Sequence, residues 1–84
     1  MRVIERKTFA AGDTVRLGDP RWFEFDYKTC RHEGKGLLSA GDVVIVLSVT
    51  RRIGSDTFGA FVLDVATIGY VYLDCWRDEV LNGP

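Results

Sequence analysis

The sequence predicts an all-β chain folded as one small barrel, on three observations. The first is Gly41-Asp42-Val43-Val44-Ile45-Val46-Leu47-Ser48-Val49, where a Gly-Asp turn leads into a seven-residue stretch with six apolar residues. That run is too short and too Val-rich for a helix and is expected as a strand buried on both faces. The second is an echo of the same opening, since Ala11-Gly12-Asp13-Thr14-Val15 mirrors Ala40-Gly41-Asp42-Val43-Val44. The third is the absence of helical periodicity, with apolar residues alternating elsewhere at the strand period of two.

Size and composition fit one barrel. With 84 residues there is room for a single core, spanning 1–84, with residues 1–12 as an N-terminal arm or edge strand. A chain this short buries only roughly 60% of its unfolded surface, so its core must be dense. Five Phe, three Tyr and two Trp within a hydrophobic share of 46% supply that density. Eleven Lys and Arg against twelve Asp and Glu leave a net charge of −1, which argues against a general nucleic-acid binder. Two cysteines, Cys30 and Cys75, are too few for a secreted disulfide framework, although spacing alone leaves a bridge between them open. No apolar run reaches membrane-spanning length and the first residues lack a signal-peptide core. A soluble cytoplasmic chain is expected, without a cofactor or metal.

Each element follows from local pattern. Thr14 to Leu17 is a first strand, stopped by Gly18-Asp19-Pro20. Trp22 to Tyr27 alternates, with Phe23, Phe25 and Tyr27 on one face and Trp22, Glu24 and Asp26 on the other. Lys28 to Gly36 is a polar turn region, after which Leu37-Leu38 returns to the core. A long strand runs from Val43 to about Thr50, followed by a polar loop from Arg51 to Asp56. Thr57 to Val65 is the next strand and Ala66 to Gly69 a hairpin connection. Tyr70 to Cys75 sets Val71, Leu73 and Cys75 opposite Tyr70, Tyr72 and Asp74. Trp76-Arg77-Asp78 reads as a single helical turn and Glu79 to Leu81 as a short closing strand.

Strand, long hairpin, three meander strands, helical turn and final strand is an order that resembles SH3-like barrels. Leu38 to Leu47 is similar to the diverging turn and second strand of SH3 domains, and Phe25-Asp26-Tyr27 to the end of their aromatic motif. The resemblance implies a five- to six-stranded SH3-like barrel with one short helical turn near the C-terminus. It does not extend to proline-rich ligands: Phe58 stands where those domains carry Trp, and Val71-Tyr72-Leu73-Asp74 where they carry Pro-x-x-Tyr. Type II dihydrofolate reductases share the architecture, but their pore-lining Val-Gln-Ile-Tyr has no counterpart in a chain without glutamine.

For function, the aromatic surplus is the strongest clue. Trp22, Tyr70 and Tyr72 alternate away from core positions, with Tyr27 and Trp76 nearby in sequence, and Trp and Tyr concentrate at binding hot spots. The expectation is a non-enzymatic module that binds a protein partner or a second copy through Trp22, Tyr27, Tyr70, Tyr72 and Trp76. The alternatives are a nucleic-acid surface built from Arg31, Lys35, Arg51 and Arg52, or a ligand site at an oligomer axis. Cys30-Arg31-His32-Glu33, with Cys75 distant, falls short of four zinc ligands and reads as a solvated loop. The carboxylates Glu24, Asp26, Asp74, Asp78 and Glu79 are expected to point outward and keep strand edges soluble.

Overall fold

The two Gly-Asp openings fold into the same turn twice. In the computed structural model, which describes residues 8–25 and 35–81, Asp13 N–H donates to Ala10 O at 3.1 Å and Asp42 N–H to Ser39 O at 3.1 Å. Each aspartate then accepts the N–H of the residue three before it: Ala10 N to Asp13 Oδ2 is 2.9 Å and Ser39 N to Asp42 Oδ2 is 2.8 Å. Gly12 and Gly41 occupy the third position with φ of 93° and 92°, which a type II turn demands and a side chain resists. The turns also clasp opposite ends of one strand pair. Gly12 N–H reaches Val46 O at 2.8 Å, and Gly41 N–H reaches Leu17 O at 2.7 Å.

That pair is β1 (Thr14–Arg16) on β4 (Val43–Ile53). Around it lie β2 (Arg21–Phe25), β3 (Lys35–Leu38), β5 (Thr57–Asp64), β6 (Thr67–Asp74) and β7 (Glu79–Val80). All seven form one curled antiparallel sheet in the order β3-β2-β6-β5-β4-β1-β7. The all-β expectation holds, with seven strands among the described residues where five or six were expected. Among the described residues there is no helix. Residues 75–78 make a hydrogen-bonded turn closed by Asp78 N–H on Asp74 O at 3.1 Å, where the sequence reading expects a helical turn.

The core lies on the concave face. Val15, Leu17, Phe23, Leu38, Val44, Val46, Ala60, Val62, Val71, Leu73 and Cys75 are buried there with Phe58. Phe9 joins them, its ring edge-on to Phe58 at 5.6 Å, so residues 8–10 are docked on the core without forming a strand. Fully burying such side chains contributes roughly 1.5–3 kcal/mol each, which makes this cluster the main source of stability.

Several boundaries differ from expectation. β4 is buried on one face only: Val44 and Val46 point inward while Val43, Ile45 and Leu47 are 44%, 43% and 40% exposed. Among the described residues no layer covers the convex side of the run. β4 also extends through Arg51 and Arg52, two register shifts accommodating its curvature, so the following loop is only Gly54 to Asp56. β3 begins at Lys35, inside the segment read as a turn. The β5–β6 connection is Val65-Ala66 alone, with Val65 at φ 57° and 93% exposed. Ile68 and Gly69 belong to β6. No described helix is long and apolar enough to cross a membrane.

Candidate functional site

The site forms where β2 leaves β6. The two strands pair at Phe25↔Gly69 and Glu24↔Tyr70, and there the ladder stops. Trp22 and Tyr72, two residues further along, stand level without backbone pairing. A groove of about 370 Å³ opens at this point, lined by Arg21, Trp22, Glu24, Tyr70 and Tyr72. Trp22 is 65% and Tyr72 52% exposed, both large apolar bodies offered to solvent.

Period-two alternation explains the lining. Phe23 points into the core, so its neighbours Trp22 and Glu24 face outward; Val71 and Leu73 do the same for Tyr70 and Tyr72. The rings are held edge to face in a chain across the convex surface. Phe61 and Tyr70 have centroids 5.3 Å apart at 71°, and Tyr70 and Tyr72 5.5 Å apart at 84°. The Tyr70 hydroxyl lies 3.3 Å from Thr50 Oγ1, which itself donates to Gly59 O at 2.9 Å. Tyr70 reaches that hydroxyl by crossing Gly59, where any Cβ would sit 1.8 Å from its oxygen.

Below the groove lies a polar cluster that the sequence pattern does not announce. Asp78 is fully buried. Its Oδ1 accepts Gly18 N–H at 2.9 Å and its Oδ2 accepts Asp74 N–H at 2.7 Å. Both terminal nitrogens of Arg21 reach it at 2.5 Å. Arg21 also donates through Nη1 to Tyr72 O at 2.8 Å and through Nη2 to Asp19 Oδ1. Asp19 Oδ2 accepts Arg77 Nη1 at 2.8 Å. The Arg77 hydrogen bond, aided by the Arg21 charge and outweighing the penalty of burial, holds the Asp19 carboxyl below its ordinary value. Asp74 Oδ1 accepts the Trp76 and Arg77 N–H groups at 2.8 and 3.0 Å, fixing the turn.

The expected outward, solubilising role therefore fails for Asp78, which is a buried hub. It fails for Asp74 too, whose carboxylate caps a turn. Glu79 fits it: exposed, it makes only a 3.4 Å contact with Arg16. Sequence reasoning passed over Arg21 and gave Asp78 an outward place where it is buried. Their one local signal is that Arg21 follows a Gly-Asp-Pro stop and so begins a strand at a bend.

Of the five aromatic residues expected to form the binding face, Trp22, Tyr70 and Tyr72 are brought together. Trp76 is 54% exposed on the 75–78 turn and does not line the groove. Tyr27 lies outside the described residues, as do Cys30, Arg31, His32, Glu33 and Asp26. Cys75 is fully buried with its thiol 3.7 Å from Asp56 Oδ1. Of the basic group, Arg51 and Arg52 are exposed near the end of β4 and not in a loop. The Arg52 guanidinium donates to Ser55 O at 2.9 Å and sits 5.8 Å from the Phe58 centroid. Lys35 is described by its backbone place opposite Glu24. Comparison with protein-family models, curated proteins and solved structures gives no match.

Proposed function

We propose that this domain is a non-enzymatic interaction module that receives a protein partner on the convex aromatic groove between β2 and β6. One observation carries the reading: Trp22 and Tyr72, 65% and 52% exposed, flank a groove and do not fold back onto the core. Exposed Trp and Tyr cost little side-chain entropy on binding and dominate the energetics of interfaces. Their supports are rigid strands, which favours recognition of a fixed shape.

The test is selection of peptides from a random display library on the immobilised domain, followed by affinity measurement. Selected peptides are expected to lose about 30-fold or more in affinity for Trp22→Ala or Tyr72→Ala, the effect of a hot-spot residue. Selected binders indifferent to both substitutions, or no enrichment at all, refute the reading. Light scattering run beside it separates self-association: a mass above the 9.4 kDa chain that falls in Tyr72→Ala makes the partner a second copy.

A further inference from the structure

Building on that reading, we infer that the partner the groove receives is a second copy of this chain, and that the contact runs from the groove across the convex face to β4. The outer side of β4 carries the first sign. Antiparallel sheets with one face in water alternate apolar inside with polar outside. β4 instead sets Val43, Ile45 and Leu47 outward, as apolar as Val44 and Val46 within. That is the composition of a strand covered on both faces. The register carries this surface across the sheet without a charged residue: Ile45 stands level with Leu63 and Ile68, and Ser48 with Phe61 and Tyr70. Tyr72 then leads to Trp22, whose cross-strand partner is the exposed Leu37.

The area suits a dimer. Side chains of the Val and Leu kind carry roughly 60–120 Å² of apolar surface each, from about 1.5–3 kcal/mol at about 25 cal/mol per Å², and aromatic ones about 150–250 Å². At their fractional exposures, the outer side chains of β4 together with Leu37, Trp22 and Tyr72 offer about 300–500 Å² per copy. With the half-buried side chains of β5 and β6 between them, two copies would cover about 1,000 Å² of apolar surface. Apolar atoms make up roughly 60% of an interface, so the whole contact would come to about 1,600 Å², the standard size of a specific complex. Neither the groove nor the β4 stripe reaches that alone. A monomer seldom leaves so much apolar surface in one patch, and a second copy is present wherever the chain is made.

The face also complements itself. A two-fold axis running along the strands between β5 and β6 lays β4 of one copy over β2 of the other, and β5 over β6. Leu63 then meets Ile68 and Phe61 meets Tyr70, each contact made twice. Arg51 stands opposite Gly59 on the row of Tyr72, at the β4 end of the face. It is exposed, and no carboxylate among the described residues pairs with it. The axis carries it onto Trp22 and the exposed Glu24 of the second copy, where a donor-only guanidinium meets an acceptor and an aromatic face. Because the sheet curls, the gap between two convex faces widens toward the flanks, and the long side chains of Arg51 and Trp22 stand there to fill it. A net charge of −1 puts little repulsion between copies.

The experiment is sedimentation equilibrium of the full chain at concentrations up to about 1 mM, which reaches even weak complexes. A single mass of twice the 9.4 kDa chain is expected at the top of that range. Ile45→Lys, outside the groove, and Arg51→Glu should each raise the dimer Kd about tenfold or more, with circular dichroism unchanged because both side chains are exposed. Joining Glu24→Arg to Arg51→Glu should restore the dimer. Within one chain these two residues lie three strand spacings apart, about 14 Å and beyond the screening length, so only a contact between copies gives that rescue. A monomer throughout overturns the inference and leaves the groove reading to the display selection. A dimer indifferent to Ile45→Lys and Arg51→Glu overturns it too, since another face then joins the copies. Loss in Arg51→Glu without rescue overturns the placement of the axis, and masses beyond the dimer overturn the two-fold closure.

Discussion

Removing the Asp78 carboxylate should cost this domain more than any other single surface-to-interior polar change described here. Asp78→Ala strips the bidentate, fully buried carboxylate from a guanidinium whose side chain is only 11% exposed, leaving it Asp19 and the Tyr72 carbonyl, and takes the acceptor from Gly18 N–H and Asp74 N–H. Breaking a buried pair by deleting one member costs about 3–5 kcal/mol. The orphaned amides overlap with that figure and do not simply add to it. Domains of this length have total stabilities of roughly 4–13 kcal/mol, so the variant would be left marginal. For a domain of this size the loss corresponds to a fall in Tm of about 12 °C or more.

Urea unfolding, followed by tryptophan fluorescence and far-ultraviolet circular dichroism, measures it. Asp78→Asn keeps the shape and one carbonyl acceptor but turns an amide donor toward other donors, so about 2–4 kcal/mol should be lost in a chain that still folds. Glu79→Gln is the matched control, also a carboxylate and one residue away. Its side chain is 59% exposed on a 3.4 Å contact with Arg16, and its loss should stay below about 0.5 kcal/mol. An Asp78→Asn variant as stable as Glu79→Gln would refute the hub reading.

Other substitutions probe the turns, the site and the acid response. Gly41→Ala should cost about 1–2 kcal/mol in a urea melt from backbone strain alone, since nothing lies within 4 Å of the added methyl. Val65→Asn should gain about 1 kcal/mol, relieving a β-branched residue at φ 57° with 93% exposure and no packing to lose. Gly59→Ala should cost about 1–3 kcal/mol in a urea melt and weaken partner binding at the groove, because its Cβ would lie 1.8 Å from the hydroxyl oxygen and 2.7 Å from Cζ of a Tyr70 ring already packed between Phe61 and Tyr72. A depressed Asp19 carboxyl contributes stability that is present above the unfolded value, about pH 4, and is lost as pH falls through the lower folded value. Asp19→Asn should therefore flatten the fall in urea midpoint in that acid range; an unaltered fall assigns it to other carboxylates.

What the sequence made legible was whatever depends on near neighbours. The alternation of Trp22, Phe23 and Glu24 and of Tyr70 through Cys75 reports burial directly, because successive strand residues take opposite faces. The Gly-Asp doublets mark strand openings correctly for the same reason: their turns close within four residues. Failures came where a residue's fate is set far along the chain. Asp78 meets Gly18 and Arg21, 60 and 57 residues earlier, and nothing at Trp76-Arg77-Asp78 records that meeting. Val43, Ile45 and Leu47 are as apolar as Val44 and Val46, so pattern cannot show that only one side of β4 is covered. The aromatic face was legible as composition and alternation, whereas the groove within it depends on where β2 and β6 cease to pair.

That parting links the fold to the site. β2 leaves β6 after Glu24, and the next contact between them is not a ladder bond but Arg21 Nη1 on the Tyr72 carbonyl. The same guanidinium holds Asp78, and Asp78 holds the amide that ends β6 and the amide that follows β1. The spacing of Trp22 from Tyr72 is therefore set by a buried ion pair that also ties separate parts of the sheet together. A fully paired ladder would close this space, and an unanchored β2 would let it gape. The Arg21–Asp78 pair holds it between the two, so it acts as a positioning element for the groove as well as a structural one. The affinity of the groove should then decline in Asp78→Asn while the protein is still folded, in step with the loosened hold on the Tyr72 carbonyl. Glu79→Gln, which touches neither strand of the groove, should leave it unchanged.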